Sequence, residues 1–176
     1  MTARIAYNNM KSKDKIIIGL AAMLIGVLAA FWLAPAGLSA APVVSFQTID
    51  GRHISSDTLR GKPVLITFWA TSCPGCMQEM PHLIELYRDL HPHGLEIVGV
   101  AMSYDPPSNV AELVRQRQVP YPIALDTNEA IAKAFGDIRL TPTSFLISPD
   151  GRILRQQVGE FDMEQLRTQI KELLGA

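Results

Sequence analysis

PVLITFWATSCPGC, residues 63–76, joins a short apolar run to the only two cysteines of the chain. Residues 63–69 are mostly aliphatic, β-branched or aromatic and have no periodic polar face, which is typical of a parallel strand covered on both sides. Residues 76–91 then follow a helical period. The free N–H groups and the dipole of a helix N-terminus favour a thiolate over a thiol. The junction therefore predicts redox chemistry at Cys73.

The flanking sequence predicts an α/β domain with a mixed central sheet flanked by helices, in the order β-β-α-β-α-β-α-β-β-α. An Asp50-Gly51 turn indicates an N-terminal β-hairpin over residues 44–54, and Pro81 is expected to kink the first long helix. A second hairpin turn lies at residues 149–151. After a helical turn at 56–59, the predicted strands are 63–69, 95–102, 123–125, 143–147 and 153–158, and the predicted helices are 76–91, 110–118, 129–135 and 163–174, the last capped by Asp162.

Residues 16–34 contain no charged residue and approach the roughly 20 residues that a membrane-spanning helix needs. Basic residues predominate before this segment, so the positive-inside rule places residues 1–15 in the cytoplasm. We expect a signal-anchor at 16–34 in the inner membrane, a tether at 35–42, and an α/β domain at 43–176 that faces the periplasm. A cleaved signal peptide, with the small residues near Ala36 as its cleavage site, is the alternative and would also export the domain.

Charge and ligand patterns exclude several classes of function. Beyond residue 36 the chain has 12 basic and 16 acidic residues, and the basic residues are scattered, which argues against a nucleic-acid partner. One Cys-x-x-Cys pair without a second pair supplies only half of a zinc site. The four histidines are expected to be ordinary surface or loop residues. We therefore expect no metal site and no cofactor.

Four short motifs identify a family. They are FWA before CPGC within residues 68–76, Pro81, Thr141-Pro142-Thr143 before a strand, and SPDG at residues 148–151. Over residues 43–174 the sequence resembles the thioredoxin superfamily and, within it, the TlpA/ResA-like membrane-anchored thiol-disulfide oxidoreductases. The resemblance implies a thioredoxin fold with an N-terminal β-hairpin and a central αβ insertion near residues 105–125.

The resemblance assigns different roles to the two cysteines. Cys73 is the attacking thiolate and Cys76 is the resolving thiol. Between them stands Pro-Gly instead of the Gly-Pro of ordinary thioredoxin, and Pro74 has no N–H to offer a sulfur, so the redox potential does not follow from the sequence. A purely structural disulfide is the alternative for an exported protein, although so short a loop gains little stability from one.

The resemblance also implies a substrate-binding surface. Thr141-Pro142 corresponds to a cis-proline loop that presents the backbone of Thr141 to a substrate chain in a strand-like contact. Pro74 and Trp69 are expected at the same surface. Trp69 is expected both to pack against the core and to expose its ring beside Cys73.

Glu79 is the candidate for proton transfer. It lies three residues after Cys76 on the predicted helix, matches a glutamate of the ResA-like branch, and could assist protonation of the thiols if partly buried. The alternative is a solvated carboxylate near the helix N-terminus. Thr67 occupies the position of the buried aspartate of thioredoxin, and its hydroxyl cannot transfer protons at neutral pH.

The function implied by the resemblance is reduction of disulfides in specific exported proteins. Apocytochrome c before haem attachment is the expected client class, and a membrane thiol-disulfide transporter is the expected electron donor. A disulfide oxidant or isomerase is the alternative enzyme. Copper handling for oxidase assembly is the alternative from another class, because the two thiols and the neighbouring Met77 and Met80 suit copper(I).

Overall fold

The computed structural model describes Gly19, residues 23–26 and residues 39–175. The chain divides into two compact units, Met1–Gly37 and Leu38–Ala176. The described residues of the first unit are helical, and the predicted cytoplasmic segment 1–15 and most of the predicted signal-anchor 16–34 lie outside the described residues. Within the described part of the chain, no helix has the combined length and apolarity that a membrane crossing requires.

The second unit contains a five-stranded mixed sheet and a separate two-stranded ribbon. The strands are β1 (Ser45–Gln47), β2 (His53–Ser55), β3 (Val64–Trp69), β4 (Glu96–Ala101), β5 (Ile123–Leu125), β6 (Thr143–Ile147) and β7 (Ile153–Val158). The α-helices are α1 (Pro74–Leu90), α2 (Pro107–Arg117), α3 (Ala130–Ala134) and α4 (Met163–Leu174), with 3-10 turns at Ser56–Leu59 and His91–His93. The large sheet has the order β5-β4-β3-β6-β7, in which β3, β4 and β5 are parallel and the β3–β6 and β6–β7 pairs are antiparallel. The predicted mixed sheet flanked by helices is confirmed, but the predicted order contains six strands where the described residues form seven.

β3 is the central strand, and all six of its residues are buried. Successive side chains of a strand point to opposite faces of the sheet. Leu65 and Trp69 therefore pack with side chains of α1 and α4 on one face, while Ile66 and Phe68 belong to the core of the other face. There Phe68 meets Phe135 edge to face, with 5.6 Å between ring centroids. Burial on both faces explains why the sequence of β3 has no polar period.

Helix α1 begins at Pro74, two residues before the predicted start at Cys76. Cys73 is the N-cap residue, and Pro74 occupies the first helical position. Proline suits that position because its φ is already helical and its missing N–H would have no partner there. The helix continues through Pro81 to Leu90, and the kink at Pro81 stays a prediction. The whole CPGC motif therefore lies in or next to the first helical turn.

The described end of the predicted tether is hydrogen-bonded to the domain. The Ala41 N–H donates to the Gly151 carbonyl over 2.9 Å, and the Ile153 N–H donates to the Ser39 carbonyl over 2.9 Å. Ala40 forms an antiparallel bridge with Arg152. Residues 39–41 are thus hydrogen-bonded to the start of β7 and the turn before it, and the domain boundary at residue 43 stays a prediction.

Candidate active site

Cys73 and Cys76 form a disulfide at the N-terminus of α1. The Cys76 N–H donates to Cys73 Sγ over 3.1 Å, and the Cys73 N–H donates to the Ala70 carbonyl over 3.1 Å. Cys73 retains 7% of its accessible surface against 3% for Cys76, and Pro74 beside it is exposed. Because the Cys76 N–H in the first helical turn donates to Cys73 Sγ, this sulfur is the better placed to be stabilised as a thiolate.

Asp105 anchors the loop that precedes the disulfide. This buried carboxylate accepts two hydrogen bonds from Thr71, one from the backbone N–H and one from the hydroxyl, each 2.6 Å long. The Met102 N–H in turn donates to the Trp69 carbonyl over 3.0 Å. The loops that follow β3 and β4 are therefore fixed to each other two residues before Cys73. Asp105 was not among the site residues predicted from the sequence, and its position soon after a buried strand was the one signal that could have pointed to it.

The Thr141-Pro142 peptide bond is cis, as the sequence analysis predicted. The Pro142 carbonyl accepts a hydrogen bond from the Gly159 N–H over 2.8 Å. A Cβ built at Gly75 would lie 3.5 Å from Pro142 Cδ, so the cis-proline loop lies against one of the two residues between the cysteines. Among the described residues, none forms a hydrogen bond with the N–H or the carbonyl of Thr141. Both groups can therefore pair with another chain.

Glu79 lies inside the domain, with 3% of its surface exposed. Its Oε1 atom accepts a hydrogen bond from the Phe161 N–H over 2.8 Å. Burial raises the pKa of the Glu79 carboxyl above its ordinary value, and the nearby charge of Glu160 adds to the effect, while the Phe161 hydrogen bond and the charge of His82 oppose it. The solvated surface position that the sequence left open is therefore wrong.

A small cavity connects Glu79 with the resolving cysteine. About 10 Å³ is open to the centre of a water molecule, which is about the space that one water needs. The lining residues are Thr67, Trp69, Cys76, Glu79, Met80, Leu83 and Tyr121. The Thr67 hydroxyl accepts a 2.9 Å hydrogen bond from the Ser144 hydroxyl, and burial raises the pKa of Tyr121. Glu79, whose pKa is raised by burial, is thus the carboxyl in this wall and the candidate for proton exchange with Cys76.

Trp69 does not form part of the exposed surface. The residue is 3% exposed, because the alternation of β3 directs its side chain into the core between the sheet and α1. Its Nε1 atom is buried and has no hydrogen-bond partner among the described residues. The expected surface ring beside Cys73 is therefore wrong, and Trp69 lies behind the disulfide, in the wall of the cavity.

The methionines next to Cys76 have ordinary packing positions. Met80 is buried in the core cluster, and Met77 is partly buried against it. In the part of the chain that the structure describes, no three His, Cys, Asp or Glu side chains gather in a way that could hold a metal ion. The positions of Met77 and Met80 thus follow from the core alone.

Comparisons with known proteins agree with this geometry. Residues 35–174 match the Redoxin family model. The thiol-disulfide oxidoreductase ResA of Bacillus thuringiensis subsp. konkukian is 35% identical over 133 residues, which cover 76% of each chain. The ResA of Halalkalibacterium halodurans is 34% identical over 81% of this chain and 78% of its own. A thiol:disulfide interchange protein of the thioredoxin family from Chlorobium tepidum superposes with a TM-score of 0.73 at 31% identity, covering 80% of this chain and 99% of that one.

Proposed function

The chain belongs to the Redoxin family and is a thioredoxin-like thiol-disulfide oxidoreductase similar to ResA, and on this premise we propose that it reduces disulfide bonds in specific exported proteins. The observation that supports the proposal most directly is the Cys73–Cys76 disulfide between the cis-proline loop and the buried Glu79. Apocytochrome c before haem attachment is the proposed client class. It rests on the resemblance to the ResA branch.

The first chemical step uses the reduced protein. A client segment that contains a disulfide pairs with the free N–H and carbonyl of Thr141, which brings a client sulfur to Cys73. The Cys73 thiolate attacks that sulfur, a mixed disulfide forms, and the second client sulfur leaves as a thiolate that takes up a proton. Pro74 is exposed next to Cys73 and forms the apolar rim that the client meets.

The second step releases the client. Glu79 accepts the proton of Cys76 through the small cavity, either directly or through one water molecule. The Cys76 thiolate attacks Cys73 Sγ, the intramolecular disulfide closes, and the client leaves as a dithiol. Two electrons have then passed from the protein to the client. The raised pKa of Glu79 supports this role, because a carboxyl with an ordinary pKa would be a weaker base for a thiol.

The reaction takes place outside the cytoplasm in this proposal. Segment 16–34 is the proposed signal-anchor because it is uncharged and follows a basic segment. A membrane thiol-disulfide transporter is the proposed donor that reduces the disulfide again. Removal of the segment by cleavage would leave the same domain in the periplasm.

Trapping of clients tests the proposal. In the Cys76→Ser variant the mixed disulfide cannot be resolved, so the variant should accumulate covalent complexes with client proteins, visible on non-reducing gels and identifiable by mass spectrometry. Cys73→Ser has the same loss of one thiol but lacks the attacking sulfur, and it should capture nothing. Equal capture by both variants, or none by Cys76→Ser, would contradict the proposal.

The direction of electron flow follows from the reduction potential. The protein is equilibrated in thiol buffers while Trp69 fluorescence is followed, because Trp69 and Cys76 line the same cavity and the disulfide should quench the indole. A potential below about −250 mV is expected for a reductant of exported clients. A potential above about −180 mV would instead assign the protein to the oxidants or isomerases.

A further inference from the structure

The loop after β7, residues 159–161, contacts the cis-proline loop, Glu79 and the CPGC turn. The Gly159 N–H donates to the carbonyl of Pro142 over 2.8 Å, and the Phe161 N–H donates to Glu79 Oε1 over 2.8 Å. Between these two anchors, the side chain of Glu160 lies over the CPGC turn. A segment held at both ends leaves Glu160 little freedom to move its backbone away from the disulfide.

The carboxylate of Glu160 is close to the point where a client must bind. A Cβ built at Gly75 would lie 3.1 Å from Glu160 Oε1 and 3.5 Å from Pro142 Cδ. The carboxylate of Glu160 and the cis-proline therefore both lie close to Gly75, one of the two residues between the cysteines. A client strand that pairs with Thr141 passes beside this negative charge.

Glu160 has no compensating cation in the described structure. It is exposed, and no described residue forms a hydrogen bond or an ion pair with its carboxylate. The guanidinium of Arg155 lies 5.2 Å from the centre of the Phe161 ring and donates to Gln157 over 3.2 Å, so it is engaged elsewhere. The charge of Glu160 also acts on Glu79, whose pKa it helps to raise.

An uncompensated carboxylate at this position affects the reaction in two ways. It opposes the approach of any segment that adds negative charge, and it opposes the thiolates that form during exchange. A cation on the client would remove both penalties at once. Apolar surface near the cis-proline is also available to a client, since Leu140 and Val158 are 65% and 53% exposed. Val158 is in register with Thr143, the residue after the cis-proline.

We infer that Glu160 is a specificity-determining residue that favours clients with a basic side chain close to the cysteine attacked by Cys73. This inference rests on the proposed reductase function and adds the charge of the preferred client. The expected preference is modest, because an exposed ion pair changes a rate or an equilibrium by about fivefold at most. Repulsion between Glu160 and an acidic client adds to the difference between basic and acidic clients.

The test measures the reduction of three disulfide-bonded peptides by the reduced full-length chain in a mild detergent. The peptides share one sequence and differ only in the residue beside one cysteine, which is Lys, Gln or Glu. Single-turnover rate constants at low salt should be about fivefold higher for the Lys peptide than for the Glu peptide. The ratio should shrink as salt is raised, because exposed charges are screened.

Two variants separate a local effect from net charge. Glu160→Gln should lower the Lys-to-Glu ratio to below about twofold. Glu172→Gln removes an equal charge from an exposed position near the end of α4 and should keep the wild-type ratio. A ratio that is the same in the wild type and Glu160→Gln overturns the inference while the reductase function stands. If the wild type reduces none of the three peptides, the proposed function itself fails.

Discussion

The hydrogen bonds between Asp105 and Thr71 should contribute strongly to stability, and their loss should also alter the disulfide. Both bonds are 2.6 Å long and end on a buried carboxylate. Hydrogen bonds to charged groups contribute about 1.5–3 kcal/mol each, so the two together set an upper range of about 3–6 kcal/mol. Thr71 is only half-buried, and water can replace part of what is lost. We therefore expect Asp105→Ala to lower the free energy of unfolding by about 3 kcal/mol.

Urea unfolding of the oxidised chain measures this change. With a slope of about 1–3 kcal/mol per M, the midpoint should fall by about 1–3 M. Asp126→Ala is the matched control, because Asp126 is also buried and accepts two backbone hydrogen bonds, from Ile131 over 3.0 Å and from Ala132 over 2.8 Å. Both variants should lose stability, but only Asp105→Ala should change the reduction potential. A loss of less than about 1 kcal/mol in the free energy of unfolding of Asp105→Ala, or equal shifts of the reduction potential in the two variants, would contradict the prediction.

Three further variants test the acid, the core and a helix cap. Burial holds the pKa of the Glu79 carboxyl above 4.5, so the contribution of Glu79 to stability is present below that pH and declines as pH rises through the folded pKa. Glu79→Gln should flatten both this decline and the pH profile of thiol reactivity. Unchanged profiles would contradict the role of Glu79 in proton transfer. Gly99→Ala places a Cβ 2.6 Å from Ile123 Cδ1 and should cost about 1–3 kcal/mol in a melt followed by Trp69 fluorescence. Asp162→Ala removes the side chain that accepts from two N–H groups at the start of α4 and should cost about 1 kcal/mol by urea unfolding, with no change in thiol exchange rate.

The parts of the fold that depend on local patterns could be predicted from the sequence. The strand at 143–147 and the helix at 163–174 have their predicted bounds, because turn and cap residues mark their ends. The start of α1 was placed late, since the Cys-Pro-Gly-Cys motif was treated as a loop before the helix. The pairing of residues 39–41 with residues 151–153 could not be predicted, because the partners are more than a hundred positions apart.

The candidate site could be predicted only where a motif names the residue. Cys73, Cys76 and the cis-proline belong to motifs, and the structure brings them together. Asp105 and Glu160 act through contacts with Thr71 and Gly75 that are distant in sequence, and no spacing rule connects them. Trp69 was expected both to pack against the core and to expose its ring beside Cys73, whereas strand alternation assigns the side chain to the core alone.

The topology of the sheet explains why these distant residues meet. Parallel β3 and β4 both end at one edge of the sheet, where Trp69 is in register with Ala101. Because β6 is antiparallel to β3 and β7 is antiparallel to β6, the start of β6 and the end of β7 lie at that same edge. The nucleophile, its anchor, the client-binding backbone and Glu160 therefore come from four different loops on one rigid sheet. A substitution at Glu160 can change the client charge that is preferred without altering β3 or α1, and because the charge of Glu160 also acts on Glu79, it changes client preference and proton transfer together.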